Sequence, residues 1–187
     1  NAIDCSFINN SASYGGDANN CVFINNSARA MSRGSAVNCS FVGNLGGALS
    51  GNAINCTFIG NNNSAVYHSR LVVNCTFINN TANDQGGAID GVEKVENCLF
   101  INNSANRCGG AIKGYYYISF GPFSKSDVFS TIVNCTFIDN SAIDGGAICD
   151  AENIVDCTFI DNCATYGGSV YGVYQYYIYT GYNQGTS

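Results

Sequence analysis

Charge is scarce in this sequence. Only 11% of the residues are charged, and seven Lys and Arg stand against thirteen Asp and Glu, a formal net charge of −6. The few basic side chains are scattered, so nothing resembles a phosphate-neutralising stripe and a nucleic-acid partner is excluded. Trp is absent and Pro occurs once. No stretch of about 18 apolar residues exists, which rules out a membrane-spanning helix. No signal peptide opens the chain, and Asn1 lies next to the start of a repeat, the pattern expected of a processed or excised segment. The low charge is not a mark of disorder, because 46% of the residues are hydrophobic. The 187 residues suit one domain, residues 1–187.

What the sequence has is repetition. A motif Cys-x-Phe-(Ile/Val)-x-Asn recurs eight times, beginning at Cys5, Cys21, Cys39, Cys56, Cys75, Cys98, Cys135 and Cys157. Phe follows each time at Phe7, Phe23, Phe41, Phe58, Phe77, Phe100, Phe137 and Phe159. Asn comes three residues later, at Asn10, Asn26, Asn44, Asn61, Asn80, Asn103, Asn140 and Asn162. Successive cysteines are 16, 18, 17, 19, 23, 37 and 22 residues apart. Helical arrays hold their period more tightly than this, whereas a solenoid of short strands lets extra residues bulge out as loops. The 37-residue interval is then one coil carrying an insertion, roughly 113–131.

Within the motif the apparent period is two. Ile54, Cys56 and Phe58 alternate with Asn55 and Thr57, which predicts a strand pointing aliphatic, Cys and Phe inward. Ile3, Val37, Val73 and Val155 fall in the Ile54 column, with Asn19 and Glu96 as exceptions. A second element, Gly-Gly-Ala-Ile, occurs at 86–89, 109–112 and 145–148, with looser forms at 46–49 and 167–170. Its glycines allow tight corners before another strand begins. No coil can bury its own Phe, so stacking at ~4.8 Å must turn each column into a ladder. The predicted core ladder comprises Cys56, Phe58, Cys75, Phe77, Cys98, Phe100, Cys135 and Phe137. Each buried Phe contributes on the order of 1.5–3 kcal/mol. Asn61, Asn80, Asn103 and Asn140 are expected at a corner, tolerating left-handed backbone and bonding amide to amide between coils. The fold class is all-β, a right-handed parallel β-helix (β-solenoid) of about eight coils.

Phe-x-x-Asn together with Gly-Gly-Ala-(Ile/Leu/Val) resembles the repeats of the chlamydial polymorphic membrane proteins. The spelling NCTFINNTANDQGGAI is similar to adhesin-like surface proteins of methanogenic archaea. The resemblance covers nearly the whole chain apart from the insertion and the segment after Val170. It implies a parallel β-helix displayed extracellularly on a cell surface. No membrane-anchoring barrel or wall-binding segment of those families is visible in the sequence.

Chemistry-bearing residues give no enzyme. The eight column cysteines are expected as stacked, buried thiols, since parallel in-register side chains give poor disulfide geometry. Their even spread along a rod denies zinc its convergent ligands. Cys108, Cys149 and Cys163 lie off the column, and a disulfide from Cys149 to either of the others stays open. Asp139 and Asp161 share a column in successive coils and would lie about 5 Å apart, a weak calcium candidate. The alternative is that both replace the surface Asn found at Asn79 and Asn102. No acid is matched with a base or a substrate-clamping arginine, so a glycosidic mechanism is unsupported and no catalytic residue, metal or cofactor is assigned. His68, in the coil without Gly-Gly, and Arg29, Arg70 and Arg107 read as exposed. Sequons recur at Asn9, Asn25, Asn62, Asn79 and Asn102, and at Asn38, Asn55, Asn74 and Asn134, permitting N-glycosylation in a secreted glycoprotein.

Tyrosines depart from the repeat. Tyr115, Tyr116 and Tyr117 open the insertion, and Tyr171, Tyr174, Tyr176, Tyr177 and Tyr179 lie in the segment 171–187. Such clusters suit contact with a host or cell-surface glycan or protein, or capping of the last coil. The first coil begins at once, so a preceding repeat or a second subunit is expected to cover it. Head-to-tail stacking of subunits would then produce filaments. The sequence thus describes an extracellular structural or adhesive β-solenoid, with a polysaccharide-binding or polysaccharide-cleaving β-helix as the alternative.

Overall fold

The computed structural model describes residues 1–117 and 128–173. The described residues form a parallel β-helix of stacked short strands. One eight-stranded parallel sheet takes a strand from every motif, from Ser6–Ile8 through Thr57–Ile59, Thr76–Ile78 and Leu99–Ile101 to Thr158–Ile160. Its register pairs Phe with Phe at every step. A second, eleven-stranded sheet runs from Ala2–Ile3 to Val170–Val173, and a four-stranded sheet joins Thr81–Ala82, Ser104–Ala105, Ser141–Asp144 and Cys163–Tyr166.

The Phe rings form one continuous stack. Successive centroids are 4.7 Å apart at Phe58–Phe77 and 4.8 Å at Phe77–Phe100 and Phe100–Phe137, with ring planes within 5° of parallel. Phe58, Phe77, Phe100 and Phe137 are fully buried. They pack against a second inward column of Ala53, Val72, Val95 and Ile132 and a third of Leu49, Val66, Ile89 and Ile112.

That second column corrects the period-two reading. The inward residue lies three before each Cys, not two: Ala53, Val72 and Ile132 are buried, whereas Ile54, Val73 and Val133 are half-exposed and Ile3 is 62% exposed. The reason is the residue between. All eight positions directly before the motif Cys, among them Asn55, Asn74, Asn97 and Asn134, have left-handed backbone with φ between 49° and 54°. A left-handed residue turns a corner, and the alternation does not carry across it. Asn19 and Glu96, exceptions in an inward column, are ordinary residues in an outward one.

The buried Asn column also differs from expectation in its backbone. Asn61, Asn80, Asn103 and Asn140 are not left-handed; their predecessors Gly60, Asn79, Asn102 and Asp139 are, with φ between 50° and 60°. The ladder residues themselves are fully buried. Asn80 Nδ2 donates to Asn103 Oδ1 and to the Phe58 carbonyl, both at 3.0 Å, and the Asn80 amide N–H donates to Asn103 Oδ1 at 3.0 Å. Its own Oδ1 accepts from Asn61 N and Nδ2, each at 3.0 Å. Every polar atom of the side chain is therefore used, which is what makes a buried amide tolerable.

The motif cysteines form a third ladder. Each thiol donates to the carbonyl two residues earlier, at 3.2 Å from Cys56 to Ile54 and 3.1 Å from Cys75 to Val73. In the middle of the column the Sγ also accepts an amide N–H from the coil before: Cys39 from Cys21, Cys56 from Cys39, Cys75 from Cys56 and Cys98 from Cys75, at 3.4–3.5 Å. The column thus does more than fill space. Hydrogen bonding to the Cys157 thiol, followed by burial, outweighs the lowering effect of Cys98 and pushes Cys135 up to about 12. Cys39 is raised likewise, by its bond with the Cys56 thiol and then by burial.

The insertion is shorter than its sequence bounds. Lys113 and Thr131 are strand residues, paired with Asp90 and with Lys94 of the coil before. The excursion runs over 114–130 and starts as an antiparallel pair, Tyr116–Tyr117 with Val128–Phe129. Cys108 and Cys149 form a disulfide across it, joining neighbouring coils 41 residues apart in sequence.

Two predictions follow from the ladders. Asn80→Leu strands the N–H and Nδ2 of Asn61 in the core and should lower unfolding free energy by about 3 kcal/mol in urea titration, although it adds apolar surface; an unchanged midpoint refutes the ladder's role. Native-state alkylation near pH 8.5, read by peptide mass mapping, should modify exposed Cys163 first, with half-buried Cys5 behind it. Cys21, Cys39, Cys56, Cys75, Cys98, Cys135 and Cys157 should stay unmodified until the chain unfolds.

Candidate functional site

The regular coils are built for stacking, so a functional site is sought where they depart from one another. The departure is concentrated on the second sheet. Its strands are two residues long in the first coils but lengthen to eight at Val66–Val73 and Ile89–Glu96, which pair in parallel with Tyr67 opposite Asp90 and Ser69 opposite Val92. His68 sits mid-strand with φ 50°, and Gly91 at the equivalent place in the next coil has φ 80°. Glycine takes that conformation freely, whereas histidine held there carries a cost on the order of 1 kcal/mol.

The bend presents an aromatic and charged group. The His68 ring stacks on Tyr67 with centroids 4.0 Å apart, and Tyr115 meets His68 edge-on at 5.6 Å. The Arg29 guanidinium lies over the Tyr67 ring, 4.8 Å from its centroid, a cation–π contact spanning two coils. Arg29 is half-buried, which corrects its reading as an exposed loop charge. Gly47, in the coil between, leaves the room for it to cross.

Tyr115 is seated by backbone and by a latch. Its ring lies against Gly91, where a Cβ would come within 2.8 Å of it. Its amide donates to Ser130 Oγ at 2.7 Å, and the same hydroxyl donates to the Val92 carbonyl. Ser130 is fully buried and its carbonyl accepts from Glu152 and Asn153. Both ends of the insertion are thereby fixed to this face. Burial, then the nearby charges of Asp90 and Glu93, pushes the Tyr115 phenol up to about 12. Asp90 is half-buried, and its carboxyl is raised by that burial against the opposing pull of His68 and Lys113.

Beside Tyr67 lies a cavity of about 190 Å³ lined by Arg29, Asn63, Tyr67, Asp84, Gln85 and Asp90. Arg107 closes one flank, 3.1 Å from Asp84 and 3.0 Å from Gln85 Oε1. Lys113 pairs with Asp150 at 3.0 Å, both largely shielded from solvent.

Other sequence candidates are placed as follows. Asp139 and Asp161 are exposed left-handed corner residues, in the column of Asn79 and Asn102. Among the described residues neither belongs to a group of three metal-ligating side chains; the one such group is Cys108, Cys149 and Asp150, and its two sulfurs are bonded to each other. Asn38, Asn55, Asn74, Asn97 and Asn134 form an exposed amide ladder, Asn134 Nδ2 reaching Asn97 Oδ1 at 2.8 Å. Tyr171 is exposed at the last described strand. Tyr174, Tyr176, Tyr177 and Tyr179 lie outside the described residues, and Tyr116 and Tyr117 are placed in backbone only. Sequence reasoning missed Tyr67 and Asp90. The signal available was their register: Asp90 directly follows a Gly-Gly-Ala-Ile element, one coil beyond Tyr67.

Fold and ladders together define a repeat protein of the parallel β-helix class. Three segments, residues 74–91, 97–115 and 134–150, match the Chlamydia polymorphic membrane protein repeat. These are three successive coils, and they include Asp90, Arg107 and Tyr115. No curated protein and no solved structure matches the chain.

Gly91→Val should unseat Tyr115 and free its phenol. A spectrophotometric titration of tyrosinate absorbance should then show one fewer phenol ionising late, with a stability loss of about 1–3 kcal/mol from the strained backbone at this position; an unchanged titration curve would mean Tyr115 is not held by this face.

Proposed function

We propose that the chain is a rigid adhesive spacer displayed at a cell surface, without enzymatic activity of its own. The observation that carries this reading is a division of labour among the coils. Phe and Asn ladders run unbroken through all eight motifs, while the irregular residues gather on one side: Arg29, Tyr67, His68, Asp90, Tyr115 and the base of the insertion. A stiff stack holding one irregular face outward suits a module that presents a contact surface. Extracellular placement is supported by the similarity of three coils to a membrane-protein repeat and by the Cys108–Cys149 disulfide, a bond that persists in oxidising compartments. No helix among the described residues is long and apolar enough to cross a membrane. The partner is a cell-surface glycan or protein, and no cofactor is invoked. Exposed Asn38, Asn55, Asn74 and Asn134 are available as glycan acceptors.

End-to-end association is a second element of the proposal. Each strand of the Phe sheet between Val22–Ile24 and Thr136–Ile138 is bordered on both sides by a strand of the same motif, so the contact between coils is self-complementary. Another coil of the same spelling would continue all three ladders.

Fluorescently labelled chain should bind intact cells saturably, and excess unlabelled chain should displace it; linear, non-displaceable uptake refutes adhesion. Negative-stain electron microscopy over a concentration series should show filaments one solenoid wide that lengthen with concentration. Discrete particles at every concentration would remove the end-to-end element and leave the adhesive one standing.

A further inference from the structure

Arg29 occupies an unusual position for a surface cation. It lines the 190 Å³ cavity, yet among the described residues no carboxylate lies within 4 Å of it and no hydrogen bond engages it. Its Nε–H is buried and has no partner. An unpartnered buried donor costs about 1–3 kcal/mol, and the ring of Tyr67 offers only partial return. The guanidinium is therefore held in place with its terminal amino groups uncommitted. Arg107, which could have competed for the neighbouring acid, is itself bound to Asp84 and Gln85.

The rest of the lining is polar and mostly accepting. Asn63 and Asp90 offer amide and carboxylate oxygens, while Ala82 and Tyr67 supply the apolar contact. One fixed guanidinium among several hydroxyl-binding acceptors matches a molecule with a single carboxylate and adjacent hydroxyls. The volume suits one ring, well below the roughly 300 Å³ at which drug-sized pockets begin. An acidic peptide matches less well, since it brings few hydroxyls for the acceptors.

We propose that the Arg29–Tyr67–Asp90 cavity binds one carboxylated sugar unit of an acidic polysaccharide. The sugar carboxylate pairs with the terminal amino groups of Arg29, and its ring hydroxyls donate to Asp90 and Asn63. This names the ligand class of the contact face described above and rests on that adhesive reading.

Isothermal titration of the full chain with trigalacturonate, its methyl ester and triglutamate tests the assignment. Trigalacturonate should bind saturably, the ester and the peptide should not, and Arg29→Gln should weaken binding roughly tenfold or more, the loss of one charge-assisted fork. Arg29→Lys keeps the charge without the planar fork and should retain an intermediate affinity; it also serves should Arg29→Gln fail to fold, as judged by its melting curve. Asp90→Asn should weaken binding while leaving the discrimination between acid and ester intact. Absence of trigalacturonate binding, equal binding of the ester, or an unaffected Arg29→Gln variant overturns the proposal, and preferential binding of triglutamate replaces it with a peptide site. Cell attachment without trigalacturonate binding overturns this inference alone; trigalacturonate binding without cell attachment overturns the adhesive reading alone.

Discussion

The interaction on which everything else depends is the side-chain amide bond between coils. A buried Asn can remain in this core because the coil above supplies its acceptor and the coil below its donors. Asn80 bonds to Asn61 on one side and to Asn103 on the other, with the Phe58 carbonyl taking the remaining N–H. Removing the neighbour would leave several polar atoms unsatisfied at once. Coil height and coil register are therefore set by a directional interaction, whereas hydrophobic packing alone would permit slippage. The Phe rings then stack within a narrow range of spacing, and the thiols inherit a geometry in which each reaches a carbonyl of its own coil and those from Cys39 to Cys98 an amide of the coil before.

Much of this was readable from the letters. Eight Phe and eight Asn in fixed register imply ladders, and the varying interval implies loops between strands. What the letters concealed was the backbone. The alternation Ile54, Cys56, Phe58 looks like one strand, yet Asn55 is left-handed and the chain turns there. The true inward residue is Ala53, too small to draw notice in a hydrophobicity pattern. The sixteen left-handed positions before Cys and before the ladder Asn are all Asn, Asp or Gly. Composition at those columns held the answer, because these residues tolerate that conformation at least cost.

The irregular face was less legible for a different reason. Arg29, Tyr67 and Asp90 lie in three different motif intervals and meet only because of stacking. Neighbours in a solenoid are residues at equal places in successive coils, so proximity must be counted in coils and not in sequence. The shared column of Asp139 and Asp161 suggested a cation site, but both are corner residues, as is Asp156.

The disulfide ties the coil before the insertion to the coil after it. Lys113 and Thr131, on either side of residues 114–130, both pair with the coil before, and the Cys108–Cys149 bond encloses the whole stretch within a covalent loop. Proteolysis inside that loop would break the polypeptide without parting its two portions. Continuity of the backbone between Cys108 and Cys149 is thus not what joins the coils on either side, because the sulfur bridge holds them as one molecule whatever befalls the chain between.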